Sequence, residues 1–366
     1  MRIAWQSNLL TIVAVVAITT SAWSKTIDEG HWINLFDGET TYGWTELGDV
    51  TWSAENGELK TVSGTGGLLA TTSQFKDFEL EAKIKIKKGC STGIIFRAGL
   101  EGHPTANGSS IAWIREQDDS TWRTVKIKAL GDEVTIDVEG KGVRKVVGTR
   151  KIGYIGVMYH HNGGAEVALK DVKLRPLQLT SIFNGKNLKG WEIIPDRPST
   201  FDVIDGSLNI KSGNGQIETK DVYQDFVLQL DIISHGTELN SGVFFRGPVG
   251  VFWKGYESQV RNHWQGDDRT KPVDYGTGGN YGNQSTRKVV STDHEWFQKT
   301  VIATGNHFSV WINGYQTSDF LDTRYINKGY NAKAGFVGEA GTIHLQGHDP
   351  KTDLSFKNIN IQSYDE

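Results

Sequence analysis

The sequence predicts an all-β protein built from antiparallel sandwiches of the jelly-roll kind, and three observations support this prediction. The chain of 366 residues contains 43 Gly and 12 Trp but only 7 Pro, which is typical of turn-rich β proteins. Residues 78–86 alternate apolar and polar side chains, which is the period of a half-buried strand. The third observation is an internal repeat, because a duplicated chain predicts a duplicated fold.

Two hairpins are predicted by the same alternation. Apolar residues alternate through 125–138 on either side of a Gly131-Asp132 turn, and again through 301–312 on either side of Gly305-Asn306. No segment of ten or more residues shows a helical period. The strands are therefore expected to be short and joined by turns of Gly, Asn and Asp.

The repeat has a nearly constant spacing. Residues 35–38 return in similar form as residues 182–185, and residues 92–97 return as residues 241–246. After Arg246 the spacing increases, so the second copy carries an insertion before Trp296. Insertions of this kind usually form surface loops, where binding and catalytic groups are often found.

The predicted domains follow from the repeat. Residues 25–176 are expected to form a degenerate first sandwich, and residues 177–366 a second sandwich that is the catalytic copy. The boundary is placed at Pro176, because proline lacks the N–H that a central strand needs and is expected to interrupt pairing there.

The first 24 residues have the pattern of a signal peptide. Arg2 precedes an apolar stretch from Leu9 to Ile18, and Ala22-Trp23-Ser24 provides small residues at a cleavage site. The apolar stretch is shorter than the roughly 20 residues that span a membrane, although an uncleaved anchor remains an alternative. We therefore expect a periplasmic or secreted protein. Its single Cys90 leaves no intramolecular disulfide, so packing alone must hold the fold.

The charge pattern excludes some partners. The net charge is −4, from 39 basic and 43 acidic residues, with no long run of one sign. Nucleic acid and anionic membrane surfaces require a basic patch, so neither is an expected partner.

The second copy concentrates polar groups that suit a binding or catalytic site. Arg246 follows a loop and a short predicted strand, and the alternation of residues 255–259 directs Glu257 and Gln259 to one face. A solvent-exposed sheet would show the same pattern. A functional site is favoured by the insertion of residues 261–283, which is rich in Gly, Asp, Tyr and Trp and resembles a loop that covers a ligand.

The C-terminal region contains a second alternating segment. His344, Gln346 and His348 share one face of a predicted strand. These side chains could line a sugar site, bind a divalent metal through imidazole, or simply be exposed to solvent. The sequence leaves metal dependence open.

An ordered set of short motifs resembles the 3-keto-disaccharide hydrolase domain family. The motifs are Leu35-Phe36-Asp37-Gly38 with Gly43-Trp44, Asn240-Ser241-Gly242, Phe245-Arg246, Gly255-Tyr256-Glu257-Ser258-Gln259, Tyr275-Gly276-Thr277-Gly278, Glu295-Trp296, Asn313-Gly314, Leu345-Gln346-Gly347-His348 and Phe356-Lys357-Asn358-Ile359. The resemblance covers residues 181–363 well and residues 32–175 more loosely. It implies two tandem concanavalin-A-like jelly rolls, a concave sheet that binds carbohydrate, and cleavage of glycosides that carry a ketone at the third carbon.

The resemblance also implies roles for individual residues. Glu257 is the expected base, Arg246 the oxyanion or substrate clamp, and His348 the proton donor or second base. Residues expected to position hydroxyls, bind substrate or complete a metal shell are Gln259, Asn262, Gln346, Asn240 and Tyr275. Asn262 departs from the family, in which many members have Asp at this position.

The first copy departs further. Arg97 and His160 are retained, but Met158 stands where the second copy has Gln346, and no Glu-x-Gln is in register. This copy is expected to lack catalysis. Trp113 and Trp122 could stack on sugar rings or pack in the core.

Three other functions remain open. A tandem carbohydrate-binding protein without turnover could share this fold, since jelly rolls serve both roles. A retaining glycosidase would require two carboxylates about 5 Å apart, and its usual Glu-x-Asp-x-x-Glu pattern is absent from the sequence. A structural adhesin is the third alternative.

Overall fold

The computed structural model describes residues 26–87, 90–104, 106–114, 121–161 and 166–364. The predicted signal peptide, residues 1–24, lies outside these ranges. All regular elements within them are β-strands, and they form antiparallel sandwiches, which confirms the predicted fold class. The same ranges contain no helix that is long and apolar enough to cross a membrane.

The first half of the described chain contains strands β1 to β12. Their bounds are β1 Thr26–Glu29, β2 Ile33–Asn34, β3 Trp44–Glu55, β4 Glu58–Phe75, β5 Phe78–Ile86, β6 Cys90–Ala98, β7 Ser110–Ile114, β8 Arg123–Leu130, β9 Glu133–Val138, β10 Gly142–Val147, β11 Gly153–His161 and β12 Val167–Ser181. These strands form two sheets, which we name the inner and the outer sheet. The inner sheet has the order β3-β4-β11-β6-β7. The outer sheet has the order β12-β5-β8-β9-β10.

The second half contains strands β13 to β24. Their bounds are β13 Trp191–Ile193, β14 Thr200–Ile204, β15 Ser207–Lys211, β16 Gly215–Thr219, β17 Phe226–Ser234, β18 Ser241–Gly247, β19 Tyr256–Val260, β20 Phe297–Thr304, β21 His307–Ile312, β22 Tyr315–Leu321, β23 Thr342–Gly347 and β24 Asp353–Ser363. The inner sheet has the order β13-β16-β23-β18-β19. The outer sheet has the order β14-β15-β24-β17-β20-β21-β22.

The predicted strands and hairpins are present. β5 alternates buried and half-buried residues along its whole length, as the period-two pattern requires. β8 pairs with β9 across the Gly131-Asp132 turn, and β20 pairs with β21 across Gly305-Asn306. Each sandwich encloses one large apolar cluster between its inner and outer sheets.

Strand β12 joins the two sandwiches. Its first part pairs with β5, and its last residues, Thr180 and Ser181, pair with β24 of the second half. The expectation that Pro176 interrupts pairing was wrong, because Pro176 lies inside β12 opposite Phe78. The halves also contact each other directly, since Trp311 of β21 packs in the first core and donates its indole N–H to Asn34 O at 3.0 Å. The residue bounds of the two predicted domains remain predictions.

Candidate functional site

The inner sheet of the second half presents a polar face. Paired residues on antiparallel strands point to the same side of a sheet. One row across the sheet holds Glu257, Phe244, His344 and Glu218. In the adjacent row Gln259 pairs with Gly242, and Gln346 pairs with Gln216. The register therefore collects two acidic groups, an imidazole and three amides on one face.

The opposite face of this sheet is apolar. Tyr256, Val243, Phe245 and Leu345 alternate with the polar residues along the same strands and belong to the second core cluster. Strand alternation thus separates a core face from a polar face, and the core anchors the polar side chains in fixed positions.

Glu257 lies at the centre of the candidate site. Its side chain is only 5% exposed and lies across β18, where a Cβ at Gly242 would come within 2.4 Å of its Oε1. Only glycine at position 242 leaves this space free. Burial, together with the negative charge of Asp274, raises the pKa of the Glu257 carboxyl to about 8. The Lys333 ammonium and a hydrogen bond from the Trp253 side chain act in the opposite direction.

A lysine held between two aromatic rings borders Glu257. Lys333 Nζ lies 4.3 Å from the centre of the Trp253 ring and 3.9 Å from that of Tyr281. Tyr281 in turn donates its backbone N–H to Glu257 O at 2.9 Å. Sequence reasoning missed Lys333 and Trp253, because neither lies in a strand or motif shared with Glu257.

The inserted loop contributes a hydrogen-bonded carboxylate. Asp274 Oδ2 accepts from Asn240 at 2.8 Å and from Gln259 and Arg261 at 3.3 Å each. The next residue, Tyr275, packs edge-on against Tyr281 with ring centres 5.0 Å apart. Asp274 and Tyr275 both adopt a left-handed backbone, with φ of 52° and 67°.

His344 is the histidine that lies in the row of Glu257. It is fully buried, with Nε2 at 2.6 Å from Thr342 Oγ1 and 3.4 Å from a Glu218 carboxylate oxygen. Burial lowers the pKa of His344 to about 4, so its imidazole is neutral near pH 7. Neutral His344 is therefore suited to orienting its neighbours by hydrogen bonding.

His348 does not lie among the buried side chains of the polar face. Its side chain is 44% exposed beyond the end of β23 and lies 3.7 Å from the Asp349 carboxylate. Because β18 begins where antiparallel β23 ends, His348 emerges at the same edge of the sheet as Asn240. It borders the polar face and is not in the row of Glu257.

Arg246 is not brought together with Glu257. Its guanidinium is fully buried, donates to Gln224 O at 2.9 Å and Val337 O at 3.0 Å, and pairs with Asp225 at 2.7 Å. The group packs over the ring of Phe308 in the second core. The expected oxyanion or substrate clamp is thus directed into the sandwich, where it holds backbone segments together.

Asn262 is also engaged elsewhere. Its Nδ2 donates to Asp293 at 2.9 Å, and its Oδ1 accepts from Thr277 at 2.6 Å and from Ser291. The side chain is 4% exposed. The amide at this position therefore ties the start of the inserted loop, next to β19, to Thr277, Ser291 and Asp293.

Three buried amides on or beside the polar face have unused hydrogen-bonding atoms. Gln216 Nε2, Asn240 Oδ1 and Gln346 Oε1 have no hydrogen-bond partner within the described part of the chain. A buried polar atom without a partner costs about 1–3 kcal/mol, so such atoms are typical of places where a polar ligand binds. The same part of the chain holds no cluster of three His, Cys, Asp or Glu residues suited to a metal ion.

Comparison with protein families identifies one match. The model of the 3-keto-alpha-glucoside-1,2-lyase-like domain matches residues 31–120 and 178–362. A 3-keto-disaccharide hydrolase from Bacteroides thetaiotaomicron is 34% identical over 84 residues, which are 20% of this chain and 29% of that protein. This chain therefore aligns with less than a third of that relative.

Two solved structures are similar in part. A provisionally assigned glycosyl hydrolase from Parabacteroides distasonis is 22% identical, with a TM-score of 0.42, over 51% of this chain and 94% of that one. The carbohydrate-binding module CBM66 from Bacillus subtilis is 19% identical, with a TM-score of 0.30, over 36% of this chain and 94% of that one.

Proposed function

Because the chain belongs to the 3-keto-alpha-glucoside-1,2-lyase-like domain family, we propose that its second sandwich cleaves glycosides whose sugar carries a ketone at C3. The observation that carries this proposal is the buried Glu257, whose pKa of about 8 suits proton transfer near neutral pH. The surrounding amides and the aromatic rings of Trp253, Tyr275 and Tyr281 suit a sugar ring.

The chemistry follows from the ketone. A ketone at C3 acidifies the C2–H, so a base can take that proton while the electron pair forms an enolate. Collapse of the enolate breaks the bond between C1 and the glycosidic oxygen, which leaves with a proton from an acid. Water then adds to C1 of the enone, and C2 regains a proton, giving the free 3-keto sugar. The site therefore needs a base, an electrostatic partner for the enolate and an acid.

The polar face and the residues that border it provide candidates for each role. Glu257 is the proposed base, and Lys333, held beside it by Trp253 and Tyr281, is the proposed positive partner of the enolate. Lys333 replaces Arg246 in this role. His348, exposed at the edge of the face, is the proposed proton donor to the leaving oxygen. The substrate-binding groups are Gln216, Asn240, Gln259, Tyr275 and Gln346.

The test is turnover of a 3-keto-glucoside by the mature protein, beside the unoxidised glucoside, with and without a chelator. We expect release of 3-keto-glucose from the ketone alone, with kcat/KM rising about tenfold per pH unit below pH 8, because the base works when ionised. Glu257→Gln should lower kcat by about 10²–10⁴-fold. A fully active Glu257→Gln variant would remove Glu257 from the mechanism. Loss of activity with chelator would assign a divalent metal.

The alternative is a tandem carbohydrate-binding protein. The unused atoms of Gln216, Asn240 and Gln346 favour it, because they can bind sugar hydroxyls without any reaction. Sugar binding by calorimetry with no turnover of either substrate would establish this alternative. The proposal also includes export to the periplasm or medium, and N-terminal sequencing of the mature protein should find Lys25 first.

A further inference from the structure

A buried lysine lies beneath the strand that carries Glu257. Lys299 of β20 is 0% exposed and reaches across the second sandwich to the core side of β19. Its Nζ donates to Ser258 O and Ser258 Oγ at 3.0 Å each and to Gln259 O at 2.8 Å. Three acceptors match the three N–H groups of an ammonium.

Burying the Lys299 ammonium lowers the stability of the fold, so a contribution to stability does not explain its presence. The three acceptors of Lys299 are neutral, and removing a cation from water costs several kcal/mol that neutral acceptors repay only in part. The first sandwich builds the corresponding pair of strands without a charge. In the first sandwich, Val125 of β8 takes the position of Lys299. Val125 lies opposite Ala82, just as Lys299 lies opposite Leu230, and it is fully buried.

The lysine occurs in the sandwich whose inner face is polar. We propose that Lys299 is a positioning residue for the candidate base: it fixes the backbone of β19 between Glu257 and Gln259 and holds an ammonium against the strand that carries the Glu257 carboxyl. The effect of Lys299 on catalysis rests on the proposed function, whereas the interaction between the charges of Lys299 and Glu257 does not.

The charges around Glu257 agree with this role. Burial and Asp274 raise the pKa of Glu257, whereas Lys333 and Lys299 lower it. Burial lowers the pKa of Lys299 to about 7, and the charge of Glu257 opposes that change. Tyr281 faces the carboxylate as a further titratable group. Each member of the Glu257–Lys299 pair thus stabilises the charged form of the other.

The experiment removes the charge and keeps the length of the side chain. In Lys299→Met we expect the titration midpoint of Glu257, followed by NMR of isotope-labelled glutamate and assigned with Glu257→Gln, to rise by about one pH unit or more. If the wild type turns over a 3-keto-glucoside, kcat should fall about tenfold near pH 7 and KM should change less. Val125→Met is the matched control and should leave both quantities unchanged.

The reciprocal measurement does not require Lys299→Met to fold. In Glu257→Gln the pKa of Lys299, followed by NMR of its side-chain nitrogen, should fall relative to the wild type. An unchanged Lys299 titration in Glu257→Gln, or an unchanged Glu257 titration in folded Lys299→Met, would overturn the inference. Absence of turnover in the wild type would instead refute the proposed function, and both NMR titrations would still decide the role of Lys299.

Discussion

The inner sheets of the two sandwiches have corresponding strand orders but opposite surface chemistry. Gly93 and Gly242 are equivalent residues of the repeat. Gly93 pairs with Trp113 in the first half, and Gly242 pairs with Gln259 in the second half. By the same register Ile111 lies where the second half has Glu257, and Met158 and Leu68 lie where it has Gln346 and Gln216. The first face bears an apolar groove of about 700 Å³, whose lining includes Leu47, Leu68, Leu100, Pro104, Trp113 and Met158.

This difference shows that the backbone scaffold does not determine the chemistry of the face. Leu68, Ile95 and Met158 pack together into a small apolar cluster on the inner sheet of the first half. On the second sheet, Phe244 stands at the position of Ile95, whereas Gln216 and Gln346 stand at those of Leu68 and Met158. Both amides are buried, and each has one atom without a hydrogen-bond partner within the described residues. Buried polar atoms without partners lower the stability of the second half, which is expected of a binding or catalytic face.

The largest expected effect tests a feature that both halves share. Arg97 pairs with Asp77 at 2.9 Å and Arg246 with Asp225 at 2.7 Å, and both guanidinium groups are fully buried. Arg246→Met and Arg97→Met should each lower the free energy of unfolding by about 3 kcal/mol, because an acidic partner and several carbonyls lose their donor. Urea denaturation measures both. An Arg246→Met variant that is stable but lacks turnover would instead support a catalytic role for Arg246.

An intermediate effect is expected from exchanging side chains between the faces. Met158→Gln should lower the free energy of unfolding by about 1–3 kcal/mol, because it buries an amide among apolar neighbours. Gln346→Met should leave stability unchanged or raise it, because it removes an unpaired oxygen, and should lower turnover. Thermal unfolding and kcat/KM measured on both variants test the comparison. Equal destabilisation by the two changes would contradict it.

The smallest effect is expected at Trp113. Its side chain is 38% exposed at the apolar groove. Trp113→Ala should cost less than about 2 kcal/mol of stability and leave turnover of a 3-keto-glucoside unchanged, because the second face carries the proposed reaction. Steady-state kinetics, with Trp253→Ala as the comparison in the second half, would show whether the two faces act together. A large rise in KM for Trp113→Ala would mean that the first groove contributes to the same site.

Glu257, Gln259 and Gln346 were identified from strand alternation and motif order, and the register places all three on one face. Alternation failed at Arg246 because a β-bulge shifts the register between Phe244 and Gly247, and a left-handed φ of 54° at Arg246 turns it toward the core. Arg97 repeats the left-handed conformation with a φ of 45°. The bulge is defined by the pairing of β18 with β23, which the alternation of residues along β18 alone does not report.

The sequence by itself determined the all-β class, both hairpins and the shared strand faces of Glu257 with Gln259 and of His344 with Gln346, because these depend on local period and turn chemistry. Only the tertiary structure decided which histidine is buried in the row of Glu257, that Lys333 lies between Trp253 and Tyr281, and that Lys299 reaches β19. These contacts join strands and loops that are distant along the chain. Their geometry depends on how the two sheets pack and where the inserted loop folds, which no local pattern encodes.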